Sequence, residues 1–310
     1  MPAKTDLLPR AGPPLRIAFE GAPLDGGDAA IRIHAPWLAG APCEEIFAGA
    51  QAGAWLGGIQ LYRSGSLLIG HASEPFAAGD LATRTQSLYR RILAACRGRH
   101  LFRIWNYVPR INELTGELEN YRAFCSGRSH AFEASLGGDF QPRLPAASAV
   151  GSQGEELEVI FVAGETEPRH FENPEQVPAY HYPTEHGPRA PSFARATVGR
   201  DGERVLTFIS GTAAIKGHQT IAAHDLPAQL DCTLDNLRLI SRTAGLGENL
   251  SAGPATRRHF KIYLRHAADL AAARARLERS LLQPADVVTY LQADICRAPL
   301  NVEIEATLVG

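Results

Sequence analysis

The chain has 310 residues, of which 45% are hydrophobic and 21% charged, with a formal net charge of −2. This is a globular composition with length for one large core or two smaller ones, and it supplies no basic field for nucleic acid or anionic lipid. Five scattered cysteines (Cys43, Cys96, Cys125, Cys232 and Cys296) form no C-x-x-C pair, the N-terminus has no secretory h-region and no apolar run reaches membrane length, so a soluble cytoplasmic protein without a disulfide framework is expected.

In chain order, β-like runs are expected over residues 15–19, 54–62 and 67–69. A helix over 83–96 follows, with Leu88, Ile92 and Leu93 at helical spacing. Next come a strand over 101–108 and a helix over 119–132. Residues 141–156, rich in Pro, Ala, Ser and Gly, read as a linker or as the turn into a strand over 157–162. The second half repeats the order: a strand over 205–210, a helix over 228–244, a strand over 259–264 and a helix over 268–282. Strands over 287–293 and 300–308 close the chain. Helix, strand and helix thus recur about half a chain apart, which suggests internal duplication. Strands and helices without a strict βαβ rhythm indicate α+β architecture, with helices on one face of a sheet.

No H-E-x-x-H, G-x-S-x-G or Rossmann fingerprint occurs, and the spacing over 211–218 is not that of a phosphate loop. His181, Glu185 and His186 lie in a Pro-Gly loop with no helix to fix ligand geometry, so no metal is expected there. The chemistry-bearing segments lie elsewhere. On a closing strand, Glu303 and Glu305 share one face roughly 7 Å apart, while Val302, Ile304 and Ala306 share the apolar one. Two buried carboxylates so placed repel, and one stays protonated near neutral pH, as a proton donor requires. The commoner alternative is a solvated polar face. The loop Tyr182-Pro-Thr-Glu-His-Gly-Pro-Arg189-Ala-Pro-Ser-Phe-Ala-Arg195 is stiffened by prolines and carries two arginines, whose planar forks suit carboxylates; the alternative is a solvated surface loop. In Arg103-Ile-Trp105-Asn106-Tyr107-Val-Pro and the following Tyr121-Arg-Ala-Phe124-Cys125-Ser-Gly-Arg128, the aromatic residues read as core and Asn106 as a partner for buried backbone. The arginines of that second segment read as surface.

Taken in order, R-I-W-N-Y-V-P, Y-R-x-F-x-x-G-R, Y-P-x-x-x-G-P-R-x-P-S-F-x-R, I-S-G-T-A-x-I-x-G-H and I-C-R-x-x-L-x-V-E-I-E-A resemble the chorismatases. The last two also resemble the broader YjgF/RidA superfamily. The resemblance implies two YjgF/RidA-like halves, residues 1–150 and 151–310, with the active site in the second. It implies cleavage of chorismate to pyruvate and 3-hydroxybenzoate, some members also giving 4-hydroxybenzoate, while another branch hydrolyses chorismate to a dihydroxycyclohexadiene carboxylate. By the same resemblance the catalytic acid is Glu303, Tyr182 and Arg189 contact substrate carboxylates, and Arg195 or Arg265 assists. The aromatising branch carries a cysteine seven residues before that glutamate, where Cys296 stands, and Ala213 and Ala214 fall where the branches differ. Neither cofactor nor metal is implied, and no nucleic-acid or membrane partner; the chain is expected as a monomer or a homo-oligomer such as a trimer. The competing reading is a RidA-like imine hydrolase or a non-catalytic small-ligand binder of that fold, from which the extra length and the G-P-R-x-P-S-F loop separate it.

Overall fold

The computed structural model describes residues 14–24, 30–76, 80–251, 253 and 255–310. The N-terminal segment carries β1 (Ile17–Glu20), β2 (Ile31–Gly40) and β3 (Cys43–Glu44). The first half continues with β4 (Gln51–Leu56), β5 (Ile59–Ser64), β6 (Leu67–Pro75), α1 (Leu81–Ala95), β7 (His100–Pro109), a small hairpin of β8 (Leu114–Thr115) and β9 (Leu118–Glu119), α2 (Asn120–Leu136), β10 (Ala146–Ser152) and β11 (Glu156–Gly164). The second half holds β12 (Arg169–Phe171), β13 (Ala196–Asp201), β14 (Arg204–Thr212), a hairpin of β15 (Ile215–Lys216) and β16 (Gln219–Thr220), α3 (Leu226–Thr243), β17 (Arg257–Leu264), α4 (Leu270–Ser280), β18 (Val287–Gln292) and β19 (Val302–Val309).

Strand order makes the duplication explicit. The first sheet runs β10-β7-β11-β6-β5-β4, and within the second the order β18-β17-β19-β14-β13-β12 repeats it. In each half the last strand inserts antiparallel between two earlier ones, and a parallel pair, β7·β10 or β17·β18, lies beside it. The fold is therefore α+β in two matching halves, as expected. Sheet membership moves the division, however: β11 completes the first sheet, whereas β1, β2 and β3 extend the second beyond β18. The halves part after Gly164 rather than at residue 150, and the N-terminal strands pair with the C-terminal half.

Three apolar layers hold this together. Trp105, Tyr107, Ile160 and Val162 of the first sheet meet Leu206, Phe208, Tyr263 and Leu291 of the second, so the sheets stack face to face. Helices cover the outer faces: α1 and α2 pack Leu88, Ile92, Phe124 and Phe132 on one side, and α3 and α4 pack Leu234, Leu237 and Leu277 on the other. Two expectations change. The run over 54–62 is a hairpin, because Gly57 and Gly58, at φ +59° and +80°, form the turn between β4 and β5. The segment over 141–156 contains a full strand, β10, parallel to β7. Its small residues let Ser210 and Thr197 of the second half reach its free edge, where their hydroxyls accept from Ala147 N at 2.9 Å and Ala146 N at 2.7 Å.

Candidate active site

β19 lies in the middle of the second sheet, so strand alternation decides what each of its residues meets. Val302, Ile304, Ala306 and Leu308 join the core under α3 and α4. Glu303 and Glu305 point the other way, into the space between the sheets, and both are 3% exposed. The solvated alternative is thereby excluded.

The two carboxyls differ in partners. Glu305 accepts from Arg103 at 2.6 Å and from the Trp105 indole at 2.7 Å, and lies 3.0 Å from the Lys261 ammonium. Lys261 in turn donates to Glu44 at 2.7 Å. Burial alone would raise Glu305, but Lys261 and Arg103 outweigh it and hold the group below its ordinary range, hence ionised. Glu303 has no such donors: its Oε1 is buried without a hydrogen-bond partner. Burial, reinforced by the charge of Glu305, pushes it up to about 8 against the pull of Arg103 and Arg195. At neutral pH it is predominantly the acid. Gly211 of β14 makes room for it, since a Cβ there would stand 1.9 Å from Glu303 Oε1.

Glu303 lines a cavity of about 350 Å³, within the range of small-ligand sites. Its cations are Arg122, Arg128, Arg195 and Arg297. Arg128, on α2, is 3% exposed and sits over the rings of Tyr89, Phe124 and Phe132 at 5.3–5.9 Å. Its Nε and one terminal nitrogen are buried without a partner. Arg195, also buried, donates to the Tyr182 hydroxyl at 2.8 Å and is held 3.9 Å from Glu172; burial pushes Glu172 up to about 7 despite that arginine. Arg297 donates to His218 O at 2.8 Å and lies 5.3 Å from the Tyr182 ring centre. Cys125 and Cys296 both line the cavity. Burial pushes both thiols up to about 12, with Glu303 adding to the effect on Cys296, so both are thiols rather than thiolates.

Of the residues expected from sequence, Glu303, Cys296, Tyr182, Arg195 and Ala213 meet in this cavity. Three do not. Arg189 turns outward to an ion pair with Glu133 and a contact with His130, because its loop runs along the outer side of α2. Arg265 is consumed as a structural clamp, donating to the carbonyls of Leu300, Ile295 and Arg297, to Asn112 and to Asp294. Ala214 is fully buried in the core between the sheets. Arg128, expected at the surface, proves interior; its signal was the i, i+4, i+8 series Phe124-Arg128-Phe132, which puts it on the apolar face of its helix. Glu44 and Lys261 carry no local signal, whereas Arg297 is the arginine of the I-C-R-x-x-L-x-V-E-I-E-A motif beside Cys296, though the sequence alone assigns it no role.

At the mouth of the cavity the loop carrying Tyr182 brings Glu185 and His186 against His218, which leads into β16. Glu185 Oε1 is 3.3 Å from His186 Nε2 and 3.3 Å from His218 Nδ1, and the two imidazole nitrogens are 3.0 Å apart. His181 is not part of this group. Among the described residues no other such cluster occurs, and no helix is long and apolar enough to cross a membrane.

A protonated carboxyl, sheltered between two sheets and faced by fixed guanidiniums, is the arrangement that general-acid chemistry on an anionic small molecule requires. Comparison with known proteins gives the family. Residues 46–163 match the family model described as chorismatase FkbO/Hyg5-like, N-terminal. The chain is 40% identical over 219 residues to a 3-hydroxybenzoate synthase of Streptomyces hygroscopicus, an alignment spanning 67% of this chain and 63% of that protein. It is 38% identical over 240 residues to a chorismatase of the same organism, covering 74% and 68% of the two chains. A solved chorismatase structure superposes with a TM-score of 0.80 at 29% identity, over 98% of this chain and 95% of that one. The chain belongs to the chorismatase family.

Proposed function

We propose that the chain converts chorismate to 3-hydroxybenzoate and pyruvate, with Glu303 as the general acid. The observation that carries this reading is the pairing of an unpartnered, protonated carboxyl with a cavity whose other charged groups are mainly arginines. Chorismate is a dianion at neutral pH, and its two carboxylates need fixed positive charge; buried Arg128 and Arg195 and half-buried Arg297 supply it with little side-chain entropy left to lose. Its side chain is an enol ether, whose cleavage is limited by proton transfer to the terminal methylene carbon. Glu303 gives that proton, the carboxylate left behind stabilises the resulting oxocarbenium ion, and the ring C–O bond breaks so that pyruvate departs with that oxygen. The neighbouring ring hydroxyl closes on the cationic carbon as an arene oxide, its proton returning to Glu303, and the oxide then reopens at its other carbon with a hydrogen shift to give 3-hydroxybenzoate. No cofactor is called for in this sequence of steps.

Mass balance bears on the ring product. 3-Hydroxybenzoate and pyruvate together hold every atom of chorismate, whereas the dihydroxydiene and pyruvate require one added water. The likeness to a 3-hydroxybenzoate synthase and the un-ionised Cys296 thiol beside Glu303 favour the aromatic product, with Cys296 steering the ring intermediate. Incubation with chorismate, with pyruvate read by a coupled dehydrogenase and the ring product by chromatography, tests both parts. Stoichiometric pyruvate and 3-hydroxybenzoate are expected, and Cys296→Ala should raise the share of diene. No pyruvate would refute the activity, and an unchanged ratio in Cys296→Ala would refute the role of the thiol.

A further inference from the structure

The cluster at the cavity mouth has a geometry that hydrogen bonding alone does not require. Glu185 Oε1, His186 Nε2 and His218 Nδ1 form a triangle with sides of 3.0, 3.3 and 3.3 Å. The Gln219 side-chain amide lies 3.1 Å from Glu185 Oε1 and 3.1 Å from His218 Nδ1. Five of the six separations among these four side chains thus lie between 3.0 and 3.3 Å. A regular tetrahedron of that size has its centre about 2.0 Å from each corner, the length of a zinc–imidazole or zinc–carboxylate bond. A half-turn of the Gln219 amide places its oxygen, rather than its nitrogen, toward that centre.

We propose that Glu185, His186 and His218, with Gln219 as a fourth, exchangeable donor, form a binding site for a divalent zinc-class cation. Two imidazoles and a carboxylate are the donor types such an ion takes. The donors are held from outside the cluster. The Tyr182 ring packs on both imidazoles, with centres 5.2 and 6.4 Å away, and the His218 carbonyl is fixed by Arg297 at 2.8 Å. The opposing charges are Arg297 and Arg122, whose fields reach His186, while Glu185 supplies the one ligand charge. Occupancy would tie the loop carrying Tyr182 to the β15–β16 hairpin, closing one wall of the cavity. The site stands on its own geometry, whether or not the chain cleaves chorismate.

The test uses the full chain, stripped with chelator and titrated with zinc chloride by calorimetry and with cobalt chloride by visible absorption. One equivalent of zinc should bind with a micromolar or tighter Kd, and cobalt should show the intense bands of four-coordinate geometry. His218→Ala and Glu185→Gln, each checked for fold by circular dichroism, should weaken zinc at least tenfold. Absence of stoichiometric binding by the parent chain, or equal binding by both folded variants, would overturn the site.

Discussion

β11 and β19 occupy the same place in the two halves, each inserted antiparallel between neighbours of the same order. Register aligns them: Glu158 of β11 pairs with Tyr107, and Glu303 of β19 pairs with Tyr263. Two residues further on, β11 presents Ile160 to the space between the sheets, whereas β19 presents Glu305. The first half thus has a buried carboxyl beside an apolar neighbour, with His71 3.4 Å from Glu158. The second has a carboxyl beside an ionised one, opening on a cavity lined with arginines. The fold supplies the position twice. What keeps one of the two protonated beside the cavity, as the proposed acid role requires, is burial together with the ionised Glu305, whose own partners are Arg103 of the first half and Lys261 of the second, the latter shared with Glu44 of the N-terminal strands.

Substitutions that erase this difference should have the largest effects. Glu303→Gln keeps the shape but removes the proton, and the turnover number should fall by about 10²–10⁴-fold with the melting transition retained. Lys261→Met leaves Glu44 and Glu305 facing each other without their shared cation. Breaking a buried pair in this way costs about 3–5 kcal/mol, to be read by urea unfolding at neutral pH, and the loss should shrink in acid as the carboxyls protonate. Arg128→Met should raise KM about 10–100-fold, the value of lost charge-assisted hydrogen bonds, whereas Arg189→Ala should change KM by less than about fivefold, as for an ion pair at the surface.

Glu305→Gln sharpens the comparison most, because it makes β19 resemble β11. The sign follows from the fields at Glu303. Burial first, and then Glu305 on the same strand, push it up; Arg103 on β7 and Arg195 in the loop before β13 pull it down, and the neutral Tyr263 and Cys296 face it. Removing Glu305's charge leaves burial alone against the cations, so the alkaline limb of kcat/KM, expected near pH 8 in the parent chain, should move to lower pH. The same raised group has a stability signature. The folded state holds a proton that the unfolded chain loses above its ordinary carboxyl range, so stability present below that range declines as pH rises toward about 8. In Glu303→Gln that decline should be absent.

Much of this was legible in the sequence because it is local. Alternation alone placed Glu303 and Glu305 on one face, and helical spacing found α1, α2, α3 and α4. The ordered motifs found the family. What was not legible depends on distant residues. Which glutamate carries the proton is set by Lys261 and by Arg103, the latter 202 residues from Glu305. The strand β10 lacks the β-branched signature because its small residues must admit Ser210 and Thr197 from the other half. Arg189 and Arg195 looked alike in one loop, yet only the path of the backbone past α2 turns the first outward and the second into the cavity.

The claim on which the rest depends is that Glu303 is un-ionised at neutral pH. Difference infrared spectroscopy of the parent chain against Glu303→Gln reads it directly. The account predicts a carboxylic acid C=O band at pH 7 that the variant lacks and that titrates away near pH 8. A difference spectrum showing only carboxylate bands at pH 7 would contradict it.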